Sequence, residues 1–253
     1  MKKFFALILA LVLLCGMLTA CENAESMLKK ADEALLNAPY TMTMNMKFET
    51  DNTELSQILS MMNLEVPVTV DGKNMAMDMS MDIMGVSADV KATVVDMVMY
   101  YDVQVMGQSV KMKAVMNDEQ YKEFMEENNT SMVVDPEDFA KLTVEKKDGK
   151  KYIACAEITE EGLKELNEMM EKAVKSMDGK VTVDDISYGL TLSGGKYEKM
   201  DLSCTYSVTV GDKTSTVTFK VSAEFSYENV AKITAPADAD KYTSMDFEDL
   251  MGG

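Results

Sequence analysis

From Tyr40 onward, apolar residues fall on every second position: Tyr40, Met42, Met44, Met46 and Phe48 alternate with Thr41, Thr43, Asn45, Lys47 and Glu49. A period of two predicts a strand with one apolar and one polar face. The alternation resumes at Leu64, Val66, Val68 and Val70, breaks at Asp71-Gly72, and continues through Met75, Met77, Met79, Met81 and Ile83. Further alternating stretches at 86–94, 97–105 and 110–116, the last two divided by Gly107-Gln108, complete an antiparallel meander. A strand from Leu142 turns at Asp148-Gly149 into another at 151–158, and three long strands centre on Tyr188, Tyr206 and Val221. In the first of these the phase slips at Asp184-Asp185, which predicts a bulge.

Between the strands the period changes to that of a helix. Met27, Leu28, Ala31, Ala34, Leu35 and Ala38 predict an amphipathic helix at 24–37, stopped by Pro39. A helical or loop segment is expected at 53–62, and Asn117 with Gln120 forms a capping pair for a helix through Glu127. Thr159 can cap a helix at 160–177 with a stripe of Leu163, Leu166, Met169, Met170, Ala173 and Met177. One-sided strands cannot leave their apolar face open to water. The expected fold is therefore α+β: a large curved antiparallel sheet, an unclosed barrel, with amphipathic helices covering its apolar concave face. One domain is expected over 21–236, followed by an acidic, loose tail at 237–253.

The first twenty residues have a different layout. Lys2 and Lys3 precede an uncharged apolar run too short to span a bilayer comfortably, which is the plan of a cleaved secretory signal. The run ends in Leu18-Thr19-Ala20-Cys21, which matches the bacterial lipobox. Cys21 is thus the expected site of a diacylglyceryl anchor, and the mature chain is expected outside the cytoplasm on a cell membrane. Glu22 beside the anchor and the missing spacer suit the outer leaflet of a Gram-positive cytoplasmic membrane. Two acyl chains suffice for stable attachment.

Composition narrows the chemistry. The full chain carries a net charge of −18, and removing two lysines with the signal makes it about −20. Such a surface repels nucleic acid and anionic lipid head groups, which sets aside nucleic acid as a partner and a polybasic membrane patch and leaves the lipid as the tether. With no histidine, the chain lacks Ser-His-Asp and Cys-His catalysis and His-based zinc sites. Paired carboxylates are plentiful but none stands in a catalytic setting, so no catalytic residue, metal or cofactor is assigned and a non-enzymatic role is expected. Cys155 and Cys204 are the cysteines left for the folded body, and they could form a disulfide or remain buried thiols.

The chain resembles the LolA/LppX-like superfamily, especially the LolA-like lipoproteins of Gram-positive bacteria. The resemblance rests on the helix just after the lipobox cysteine, the long alternating strands, the covering helices and a closing Ile233-Thr234-Ala235-Pro236 segment. It implies an open β-barrel that shelters acyl chains. LolA itself is a soluble shuttle, so a chain tethered through Cys21 is more similar to the anchored relatives.

Of 26 methionines, 17 lie between Met42 and Met132. Three readings stay open: flexible core packing, an adaptable apolar groove, or a Cu(I) site of thioethers. The groove reading names Met42, Met44, Met46, Phe48, Met75, Met77, Met79, Met81, Phe219 and Phe225 as lining residues for a lipid or other hydrophobic ligand. A structural or interaction lipoprotein with a filled core is the alternative. On the polar face, Asp78, Asp82 and Asp89 are candidates for weak Ca²⁺ binding or simply a solvated surface.

Overall fold

The computed structural model describes residues 24–251 except 61–62, 84–85, 131–138, 148, 161–162, 165–166, 168–178 and 211–212. The expected signal segment and Cys21 therefore lie outside the described residues, as does most of the predicted 160–177 stripe. What is described of that segment includes helical residues at Glu160, Leu163, Lys164 and Asn167, with the Leu163 amide bonded to the Thr159 carbonyl at 2.9 Å.

Helix α1 covers Ala24–Asn37, and Met27, Leu28, Ala31 and Leu35 on one side of it are buried. Pro39 ends it because proline supplies no amide to continue the ladder. The chain then enters β1 (Tyr40–Thr50), α2 (Thr53–Ser60), β2 (Leu64–Asp71), β3 (Asn74–Ile83), β4 (Val86–Val95), β5 (Val98–Val105) and β6 (Gln108–Val115). Helix α3 (Asp118–Thr130) follows, with the predicted reciprocal cap: the Glu119 and Gln120 amides donate to the Asn117 side chain, and the Asn117 amide donates to Gln120 Oε1 at 3.0 Å. The remaining long strands are β7 (Phe139–Lys147), β8 (Lys150–Ile158), β9 (Gly179–Ser193), β10 (Lys196–Val210) and β11 (Lys213–Ser226).

These strands form one open sheet in the order β6-β5-β4-β3-β2-β1-β11-β10-β9-β8-β7, antiparallel throughout. The two meanders meet where β1 pairs with β11, Met42 opposite Phe225 and Phe48 opposite Phe219. Pro67 sits within β2, and the β2–β3 pairing skips Val66 and Pro67, in keeping with the amide that proline lacks.

The predicted bulge is present. Thr205 pairs with Asp185 and Tyr206 with Val183, so Asp184 is the extra residue, held by a 2.6 Å bond from the Ser207 hydroxyl. A second bulge, at Glu198, lies between the Tyr197–Leu192 and Lys199–Thr191 pairs. It turns Tyr197 toward the same face as Met200 and Leu202.

The tail corrects the sequence reading. After β11 the chain crosses the polar face of β5 and β6, where Lys111 Nζ lies 2.7 Å from Asp238 and 3.2 Å from Asp102. Tyr242 stacks edge-on against Tyr100, and Lys113 donates to the Ala239 carbonyl. β12 (Thr243–Ser244) then runs parallel to β6, and α4 (Phe247–Met251) brings Phe247 and Leu250 onto Val94, Met99, Met116 and Phe124. The acidic composition suggested a loose tail, but its interspersed Tyr242, Phe247 and Leu250 find apolar contacts and its Asp238 finds a lysine. Acidity alone did not report this docking.

Candidate hydrophobic-ligand face

Register carries the apolar stripe of β1 across the whole sheet. Met42 is opposite Val68, and Val68 is opposite Met77, which faces Ala92. In the other direction Met44 faces Ala223, which faces Met200 and then Leu190 and Ile153. All ten predicted lining residues occupy this face.

The face is not packed evenly. Under α1, Met42 is 1% exposed and Ala31 is wholly inaccessible, within a cluster that includes Val66, Val68, Leu190 and Ala223. Met44, Met46, Phe48, Met75, Met77, Met79, Met81, Phe219 and Phe225 are only partly buried. Phe48 and Phe219 stack with centroids 4.8 Å apart. Burial thus falls along β1 from Tyr40 toward Phe48, from a closed packing to a partly open apolar surface.

The two Met-x-Met runs do not meet. β2 lies between β1 and β3, so a valine row separates Met42–Met46 from Met75–Met81 by two strand spacings, about 9.6 Å. Asp78 lies 3.6 Å from Lys91 and Asp89 accepts a 2.6 Å bond from Ser80, both on the polar face. The side chain of Asp82 lies outside the described residues.

Cys204 is a free, buried thiol whose titration is pushed up by burial. Cys155 on β8 is opposite Tyr188 of β9, and Tyr188 is opposite Leu202 of β10. The cysteines are therefore two strands apart, beyond the reach of a disulfide. Of the two states left open by the sequence, the thiol is the one found for Cys204.

An aromatic group secures the packed end, joining Tyr40 and Phe225 of the predicted apolar face to Tyr197 and Tyr227, which the sequence pattern did not single out. Tyr40, Phe225, Tyr197 and Tyr227 lie with neighbouring centroids 5.9 to 6.2 Å apart. The Tyr197 hydroxyl donates to Asp32 of α1 at 2.5 Å. Burial raises the Asp32 carboxyl above its usual range, against the lowering effect of that bond, and burial next to Asp32 drives Tyr197 far above the phenol range. Tyr227 is pushed up to about 12, chiefly by burial. The signal for Tyr197 was a second phase slip, at Glu198, within the short run Tyr197-Glu198-Lys199-Met200.

The polar face carries a groove of about 350 Å³ across β1, β11, β10, β9 and β8, lined by residues that include Asn45, Lys47, Asp201 and Lys220. Gly189 makes room there for the Tyr152 ring, whose hydroxyl would lie 2.4 Å from an added Cβ.

No family model and no curated protein matches the chain. Among solved structures it is similar to the ywiB protein from Bacillus subtilis, at 10% identity over 74% of this chain and 91% of that one, with a TM-score of 0.21. It is also similar to MucB in complex with MucA, at 9% identity over 85% of this chain and 100% of that one, with a TM-score of 0.12. At these scores neither likeness carries an argument about function.

Proposed function

We propose that this chain is a membrane-tethered, extracytoplasmic lipoprotein of the LolA-like kind, without enzymatic activity, that holds a lipid or other hydrophobic ligand against the apolar face of its open sheet. The observation that carries the reading is the gradient of burial along one continuous face, with Met42 sealed and the neighbouring methionines partly open. Thioethers adapt to varied apolar shapes, and each Å² of acyl chain removed from water contributes roughly 25 cal/mol. The lipobox supports an anchor at Cys21. Native mass spectrometry of protein extracted from membranes is the test, with co-purifying lipid expected; lipid-free protein whose apolar face proves filled by its own side chains would overturn the reading.

The tight packing beneath α1 favours a second reading, an envelope lipoprotein with an ordinary core. It predicts that no lipid co-purifies and that the partly buried methionines are as costly to replace as other core residues.

A further inference from the structure

The apolar face has a second gradient of exposure, across the strands of the first meander. Near the β4–β5 turn, Met75, Val94, Met99 and Ala114 stand in register, and the last three are each 1% exposed. Further along the same face, Met79, Val90, Val103 and Val110 stand in register. The first three are partly buried, whereas Val110 of β6 is 55% exposed. In the next row Val105 is 38% exposed, and Met106 in the β5–β6 turn reaches 78%. The apolar face therefore runs out into solvent at one corner, where β5 and β6 meet.

Two features set this corner apart from ordinary surface. Met106 has a φ of 52° and Gly107 one of 78°, left-handed at both central positions of a two-residue turn, the first of which favours Asn, Asp or Gly. Met97 adopts the same conformation in the β4–β5 turn, but its side chain packs on the cluster of Val94, Met99, Met116 and Phe124. Neither turn chemistry nor core packing accounts for methionine at 106. The second feature is a cavity of about 610 Å³ at the edge of β6, lined by residues that include Val110, Met112, Lys241, Thr243 and Met245. Its size is that of a small-ligand site, roughly 300–1,000 Å³. β12 pairs with β6 at Met112 and Lys113, so the tail borders this cavity without extending its strand along Ser109 and Val110.

The cavity joins two chemistries. Val110 and Met112 belong to rows of the apolar face, whereas Lys241 and Thr243 of the tail bring an ammonium and a hydroxyl. Lys111 beside them is held by Asp102 and Asp238. We infer that the ligand is an amphiphile that lies across the edge of β6, its acyl chain running over Val110 to Met79 and Met81 and its polar head in the cavity against Lys241 and Thr243. This rests on the hydrophobic-ligand reading above and adds the ligand's direction and the position of its head. Continuity carries it: the rows that hold the chain are the rows that open into the cavity. The opposite ends of those strands are closed, by α1 over Met42 and by α3 and α4 over Met99.

The test uses the full mature chain and two fatty-acid probes, one with a diazirine beside the carboxyl group and one with it near the methyl end, adducts being mapped by mass spectrometry. The carboxyl-end probe should label Val110, Met112 and Thr243, and the methyl-end probe Met79 and Met81, both displaced by unlabelled fatty acid. At subsaturating probe, Val110→Lys should lower both yields at least about fivefold, because the chain loses apolar contact at the edge. Val115→Lys places the same charge on the same strand but on the polar face, at a residue already 71% exposed, and should match the wild type. Displaceable labelling of Met79 and Met81 by both probes alike, a carboxyl-end probe that labels residues beneath α1, or equal losses in the two variants would overturn this placement while leaving the ligand reading intact. No displaceable adduct with either probe would remove both.

Discussion

The hydroxyl of Tyr197 donates a 2.5 Å hydrogen bond to Asp32, tying α1 to β10 at the closed end of the apolar face. The residues are 165 positions apart, and Tyr197 is only 3% exposed. Asp32→Ala leaves that hydroxyl buried without its acceptor and should cost about 1–3 kcal/mol. Asp32→Asn keeps an acceptor and removes the desolvated charge, so it should cost much less. Urea unfolding of the two variants separates them; equal losses would show that the bond does not hold the helix.

The same pair sets a pH dependence. The native carboxyl of Asp32 titrates above its unfolded value, so its contribution is fully present below the ordinary range near 4 and is lost as pH rises through the raised native value. The wild type should therefore lose stability relative to Asp32→Asn across that rise, as measured by paired melts at a series of pH values. Parallel curves would exclude it.

At the other end of the sheet the sign is opposite. Burial would raise the Asp102 carboxyl, but bonds from Ser109 and Lys111 and the lysine's charge bring it below the usual range, and the bond from Lys111 lowers Asp238. Stability from both is present above the unfolded value near 4 and lost as pH falls through the lowered native values. Amide exchange at 239–251 should accelerate in that acid window, and at neutral pH in Lys111→Gln. Unchanged exchange in that variant would mean that the tail docks without the ion pairs.

Methionines along the apolar face should differ in cost although they share it. Met42→Ala opens a cavity in a sealed cluster and should cost about 2–5 kcal/mol. Met79→Ala and Met81→Ala, at partly buried positions, should each cost less than half as much. Denaturant midpoints decide; a uniform penalty would point to a filled core.

Much of this architecture was legible in the sequence because a one-sided sheet imposes a period of two, which Met42 to Phe48 and Met75 to Ile83 display. The Asp184 bulge was visible for the same reason, as a slip between Val183 and Ile186. The Glu198 bulge was harder to see, since charged neighbours surround it, and Tyr197 was missed with it. Pairing across distance has no local signal: neither the β1–β11 contact that joins the meanders nor the match of Asp238 to Lys111 alters the composition of its own segment.

The most direct test of the central claim is cross-linking of a photoreactive fatty acid to the protein, with the modified residues mapped by mass spectrometry. Adducts concentrated at Met79, Met81, Phe48 and Phe219, competed away by unlabelled lipid, are the expected result. Adducts confined to the polar face, or none that lipid displaces, would contradict it.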